Sequence, residues 1–302
     1  MTNNILQKEK LWIDWIKSNE DIINVYFHYK DYDKIKSPWI RKYTIPKKYI
    51  KQTTYYHVVP AYISILSYAF FHDKNNKWFC ILTDSCCPII SPEKFRKLFF
   101  NFYNKSIIQC KPAYWNVEFH KRANLKYLNK RYHLANDPWF TLCRYHVYLC
   151  MLFMSKKFNL YNHIISGGLA NESIFAIILE TFNELKPNKI LINSSSNLSD
   201  WSRMSNPTSP YLFKFIDDYN YMIISDLLKT NPYAMFVRKI HYDCPDKDII
   251  QFMDKNYSNE KINFRFYNNI YSNIHYFIFL LKKNYNIIIL FFLFFYFLIF
   301  IF

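Results

Sequence analysis

The chain has 302 residues, 51% hydrophobic and 21% charged, a balance that excludes a disordered or fibrous protein and allows a sizeable core. Its formal net charge is +16, but the lysines are scattered and no arginine-rich block or nucleic-acid module is present, so nucleic-acid binding is excluded from the expected functions. Aromatics reach 21% against only 2 Gly, a bias of AT-rich coding sequence that strips surface Lys and Asn of functional information.

The first residues are polar and carry no secretory signal. Leu11, Trp12, Trp15 and Ile16 recur at helical spacing and predict a short amphipathic helix from about Lys8. Ile22–Tyr29, rich in β-branched and aromatic residues, predicts a strand. It runs into Asp31-Tyr32-Asp33, an Asp-x-Asp that could hold a divalent metal against a diphosphate. Three residues flanked by lysine read better as a polar loop, and no metal site is expected. Thr53–Phe71 predicts a helix with Pro60 in its first turn.

The stretch Trp78–Pro92, WFCILTDSCCPIISP, organises the chain. Phe79–Leu82 has strand length and is stopped by Thr83, Asp84 and Ser85, then by Pro88. Ser91 and Pro92 are an N-cap and a first helical residue, opening a helix through Phe95, Leu98 and Phe99. Strand, polar loop and capped helix place a ligand at the carboxyl end of a strand in an α/β sheet, although an ordinary strand-to-helix junction has the same pattern. Cys86 and Cys87 within it, like the other five of the 7 Cys, lack zinc spacing. Free thiols in a reducing compartment are expected, with one or two disulfides the alternative in a lumenal protein.

Further on, Ser106–Cys110 predicts a short strand and Lys121–Arg131 a basic stretch. Pro138–Met154 predicts a buried helix opened by Trp139-Phe140. Asn171-Glu172 precedes a second apolar helix, Ser173–Leu185. A strand at Lys189–Asn193 breaks into Ser194–Asn197, and Asp200-Trp201-Ser202-Arg203 lies in loop chemistry. A helix at Tyr221–Leu228 and a strand at Ala234–Ile240 follow, the strand ending in Arg238-Lys239. Beyond Cys244 the sequence is polar without clear periodicity. It finishes in Ile287–Phe302, an unbroken apolar run preceded by Lys282 and Lys283, expected as a C-terminal single-pass membrane anchor close to the ~17–25 residues a span needs. The expected organisation is a catalytic domain over 1–250, a polar linker over 251–285 and a membrane segment over 286–302.

Six segments in one order resemble the core-2/I-branching β-1,6-N-acetylglucosaminyltransferase family. LTDSCCPIISPEKF is similar to its "LS(D/E)SCxPL" strand and loop, and LWIDWIKSNEDIINVYFHYKD to its tryptophan helix and "YxxxxH" strand. HLANDPWFTLCRYHV is similar to "KGSQWFxLxRxHA", ANESIFAIIL to "(P/A)DExxxxTxL", NLSDWSR to "TxVDWSR" and MFVRKI to "FARKF". The resemblance implies an α/β fold, a GT-A-like mixed sheet flanked by helices. It implies an inverting, metal-independent transferase that moves a sugar, N-acetylglucosamine from its UDP donor, to a hydroxyl of a glycan or glycoprotein acceptor, with no cofactor. Glu172 falls on the catalytic base; Arg238 and Lys239 fall where basic side chains hold the donor diphosphate. Asp84, Ser85, Lys130, Arg131 and Trp201 fall on the acceptor side. The family's first nucleotide-binding strand has no counterpart, and Lys30 and Asn171 replace acidic residues. The alternatives are a transferase of the related peptide xylosyl type, or a non-catalytic, membrane-attached binding protein.

Overall fold

The computed structural model describes residues 5–191, 194–204 and 206–255; the remainder of the linker and the expected membrane segment lie outside the described residues. The compact unit runs to Met253. No helix among the described residues is long and apolar enough to cross a membrane.

The fold is mixed α/β, small sheets flanked by helices. Helix α1 (Glu9–Lys17) buries Leu11, Trp12 and Trp15, and the two indoles donate to Cys86 O and Ile90 O at 3.1 and 2.9 Å. After α2 (Pro38–Lys42), α3 (Val59–His72) starts with Pro60 in its first turn, as its sequence predicts. Strand β1 (Trp78–Cys80) is followed by β2 (Cys87–Pro88) and by α4 (Pro92–Phe102), whose first turn is capped by Ser91 Oγ accepting from Lys94 N at 3.2 Å. β3 (Cys110–Pro112) pairs with β4 (Leu134–Asn136), and β5 (Thr141–Cys143) pairs with β1, both antiparallel.

Helices α5 (Arg144–Lys156), α6 (Phe158–Ser166) and α7 (Ile174–Thr181) follow. Then come β6 (Asn197–Ser199), α8 (Asp218–Thr230) and β7 (Phe236–Arg238), and the order β2-β7-β6 forms the one three-stranded sheet among the described residues. Beyond it, 246–255 is helical, and Ile249, Phe252 and Met253 are buried, where the sequence shows no periodicity. One apolar core joins α3, β1, β5, α5 and α7; a second joins α1, β2, β7 and residues Ile249–Met253.

Several expected elements differ: Ser106–Cys110 makes only isolated bridges at Ser106 and Ile107 before β3 begins at Cys110, and the described part of Lys189–Asn193 makes only the bridge from Ile190 to Ser106. Pro138–Met154 is not one helix: Thr141–Cys143 pairs with β1 before the helix begins at Arg144. The backbone ladder outweighs helical propensity there because β5 is buried throughout and needs its backbone paired. Ile22–Tyr29 forms no strand and joins a ladder only through one bridge, Phe27 to Thr44. A strand exists only by its neighbour, and along most of this stretch the neighbour is an open slot.

A buried chain locks the first core. Ser106 Oγ lies 2.6 Å from His146 Nδ1, and His146 Nε2 lies 3.3 Å from Glu184 Oε2. Its order of residue types mimics a hydrolase, but Ser106 is 0% exposed, and its oxygen accepts the Cys143 backbone N–H at 2.9 Å. It is a structural tie.

Candidate active site

Glu172 ends a 3-10 turn immediately before α7. The turn is held from outside: buried Asn136 donates from Nδ2 to Asn171 O at 2.8 Å and accepts from Ala176 N at 3.1 Å. The half-buried Glu172 carboxylate pairs with Arg122, NH1 to Oε2 2.9 Å, and the Arg122 guanidinium stands 5.0 Å from the centre of the Trp115 ring. Burial raises the Glu172 carboxyl above its ordinary range, and Arg122 works against that rise.

Both glycines of the chain build this contact. Gly167 lies so close to the Arg122 loop that a Cβ there would stand 2.5 Å from Asn124 N and 2.8 Å from Ala123 Cα. Gly168 O accepts from Ala123 N at 3.0 Å, and Leu169 N donates to Tyr56 O at 2.9 Å. The close backbone approach, open only to glycine, is what brings Arg122 to Glu172.

On β7, the Arg238 guanidinium stacks 3.4 Å over the Trp139 ring, and burial lowers its affinity for a proton. Lys239 donates to Ser209 Oγ at 2.9 Å, and burial together with Arg238 lowers its pKa. The Asp84 carboxylate opposes both shifts, so the loop after β1 faces this basic pair. Tyr62 of α3 joins the two halves: burial raises its phenol, and Arg238 and Glu172 both lie near enough for their charges to act on it.

Several polar groups left over belong to these residues or their neighbours, and others lie elsewhere on Gln7, His163, Arg203 and Ser225. Buried side-chain atoms without a hydrogen-bond partner include Asn171 Oδ1 and Ser173 Oγ on either side of Glu172, Trp115 Nε1 beside Arg122, and Arg238 Nε with Trp139 Nε1 beneath it. Asn197 Oδ1 joins them, while its Nδ2 reaches Cys86 Sγ at 3.5 Å. Buried polar atoms are normally satisfied, so these atoms have bonds left for water or a ligand to complete.

The remaining site residues of the sequence reading are placed as follows. Asp84 stands on the Arg238–Lys239 side. Ser85 is buried, with its carbonyl accepting from Ile240 N at 3.1 Å. Trp201 is 49% exposed on a turn fixed by Asp200, which accepts from Ser202 and, at 2.7 Å, from Arg203 Nε. Lys130 and Arg131 sit on an exposed 3-10 turn, Arg131 over the Tyr132 ring at 4.5 Å. Neither ion pair nor hydrogen bond among the described residues links Lys130, Arg131 or Trp201 to Glu172 or Arg238. Asp31 pairs with Lys34 at 3.0 Å, and no group of three metal-ligating side chains occurs among the described residues. His28, part of the "YxxxxH" segment, accepts from Lys51 N at 3.0 Å, and burial lowers its pKa to about 4. That fits a neutral structural imidazole.

Tyr62, Trp115, Arg122 and Asp137 escape the sequence reading as site residues. Asp137 accepts from Ser195 Oγ at 2.6 Å, and burial raises its carboxyl to about 6. Its charge, like that of Glu172, acts on the exposed Tyr114 phenol, so a second carboxyl borders the site. Only Arg122 left a signal, the basic stretch from Lys121. A scan of protein-family models finds no match for the chain, and a search of curated proteins finds no relative.

Proposed function

We propose that the chain is an inverting glycosyltransferase with a GT-A-like fold. It would transfer a sugar, N-acetylglucosamine from UDP-N-acetylglucosamine, to a hydroxyl of an acceptor glycan without a metal. The observation that carries this reading is that a carboxylate, Glu172, and a cation, Arg238, both lie close enough to act on Tyr62, with unsatisfied polar atoms on or beside both. Inverting transfer needs those two chemistries on opposite sides of one sugar. A carboxylate removes the proton of the acceptor hydroxyl as it attacks the anomeric carbon, and cations stabilise the charge developing on the departing diphosphate.

Burial raises the Glu172 carboxyl and Arg122 opposes that rise, favouring the ionised state a base requires. Arg238 can offer a diphosphate a planar pair of donors and Lys239 a point charge, taking the role a divalent metal has in other transferases. Exposed Trp201 on its braced turn offers a flat face to an acceptor sugar. Membrane attachment through Ile287–Phe302 belongs to the same reading on the strength of its sequence. The test is release of UDP from UDP-N-acetylglucosamine over a panel of acceptor glycans, with and without chelator. Chelator-resistant release that depends on an acceptor supports the reading. No release, with no calorimetric binding of UDP, removes it.

A further inference from the structure

A shallow dish of about 410 Å³ shares no residue with the Glu172–Arg238 site. It lies where three helix ends meet. Phe70 comes from the last turn of α3, Tyr103 and Asn104 from the turn after α4, and Tyr145 and Tyr148 from the first turns of α5. Lys77, just ahead of β1, completes the rim. The phenols of Tyr103, Tyr145 and Tyr148 are 42%, 50% and 45% exposed, so their faces are open to a ligand. The Tyr145 and Tyr148 rings lie within 28° of parallel, with centres 6.5 Å apart. Arg144 braces the floor beneath them: it stacks 3.8 Å over the Phe70 ring and donates to Phe70 O, Asp73 O and Asn76 O at 2.9, 3.2 and 3.0 Å.

Two properties of the dish select its occupant. Its floor is aromatic, yet its rim is polar: the three phenol hydroxyls, the Asn104 amide and the Lys77 ammonium make no side-chain hydrogen bond among the described residues. Its charge is also one-sided. No carboxylate lines it, whereas Lys77 does, and Lys189 Nζ stands 5.7 Å from the centre of the Tyr145 ring. Asp73 and Glu184, on adjoining segments, are already engaged. The Asp73 carboxylate accepts from Asn24 Nδ2 and Asn75 N, and that of Glu184 lies 3.3 Å from His146 Nε2 and 3.9 Å from Lys189 Nζ.

We propose that this dish binds an acidic sugar, a pyranose carrying a carboxylate or a sulfate group. A pyranose has a flat face of C–H bonds, which packs on aromatic rings, and a rim of hydroxyls, which can meet the phenols and the Asn104 amide. Lys77 and Lys189 oppose the acidic group. An acyl chain would cover the floor and leave every rim group without a partner. A single-stranded nucleic acid would stack on the tyrosines, but it needs cations that track its backbone along a groove, and here two lysines border one dish. The volume lies within the ~300–1,000 Å³ of small-ligand sites. This inference does not depend on the transferase reading.

The test is calorimetric titration of the full chain with tetrasaccharides of hyaluronan, which carries carboxylates, and of keratan sulfate, which carries sulfates. Uncharged chitotetraose and an oligo(U) are the comparison ligands. At least one acidic sugar should bind about tenfold more tightly than chitotetraose, and the one that does identifies the acidic group. Tyr148→Ala and Lys77→Gln should each weaken it at least fivefold, while Tyr148→Phe, which keeps the ring, should lose less than Tyr148→Ala. Both positions are exposed or half-exposed, and unchanged thermal melting shows that the variants are folded. Absence of binding by both acidic sugars overturns the proposal, and so does equal binding of chitotetraose. Tighter binding of oligo(U), or acidic-sugar binding that none of the variants alters, overturns it too. No donor sugar enters the measurement, so its outcome is separate from that of the transferase test.

Discussion

The molecule has two open regions, and they are open in opposite ways. Around Glu172 and Arg238 the backbone is closed by ladders and caps, while the side chains leave polar atoms without partners. Along the slot between 21–27 and 77–83 the lining side chains are mostly apolar. Unmet side-chain polarity asks for a ligand with its own donors and acceptors, and an apolar lining does not. The chemistry of what is missing thus marks the Glu172–Arg238 region, rather than the slot, as the candidate substrate site.

The sharpest way to break this comparison is at the carboxylate. Glu172→Gln keeps the shape of the turn and removes the base, so turnover should fall by the ~10²–10⁴ typical of a lost general base while UDP still binds. Rate measurements on Glu172→Gln and Asp137→Asn side by side decide which carboxyl acts. A larger loss in Asp137→Asn would move the chemistry to the other border of the site.

Next is the basic pair. Lys239→Ala should weaken UDP far more than uridine, by the ~1.5–3 kcal/mol of a hydrogen bond to a charged group. Calorimetry with the two ligands checks it, and equal affinity of parent and variant for UDP would remove Lys239 from the diphosphate. Arg238→Ala is a less clean probe, because it also strips the cover from Trp139.

A third test concerns how the site is assembled. Gly167→Ala forces a methyl against the backbone of Ala123 and Asn124, and overpacking of this kind costs ~1–3 kcal/mol. Denaturant unfolding should show that loss. Glycine 168, with only the flexible Tyr56 side chain at 3.5 Å, should accept alanine at smaller cost. Equal stability of the two variants would mean that the approach of the Arg122 loop to Glu172 is not held by Gly167.

How much of this was legible in the sequence follows the same division. The Ser91 cap, the α3 proline and the tryptophan helix are local signals, and each sits where its residues predict. Arg238, Lys239 and Glu172 were legible only through the order of six short segments, since a lone Glu before a helix more often serves the helix itself. Tyr62 and Trp115 were invisible because each reaches the site from a distant element and resembles ordinary core or surface aromatic residues. Ile22–Tyr29 has the composition of a strand but not the structure. Composition reports that a segment fits a pleated, half-buried surface, and says nothing of whether a partner lies beside it.

The finest test of the active-site half is the pH dependence that Arg122 imposes. Burial raises the Glu172 carboxyl and Arg122 lowers it. A general base works only when ionised, so activity is full above the folded pKa of Glu172 and is lost as pH falls through it. Because that pKa is raised, the acid limb of the rate profile should lie above that of an ordinary carboxylate. Arg122→Gln removes the opposing charge and lets burial act alone. The limb should move to higher pH, while the plateau rate at alkaline pH changes only a few-fold, since Glu172 is ionised there in both proteins. The variant separates two roles that a single rate would confuse: an arginine that binds substrate lowers the plateau, whereas one that sets the charge state of Glu172 moves the limb. Full kcat profiles of parent and Arg122→Gln check it. A limb that stays in place while the plateau collapses would make Arg122 a substrate contact and leave the ionisation of Glu172 to some other group.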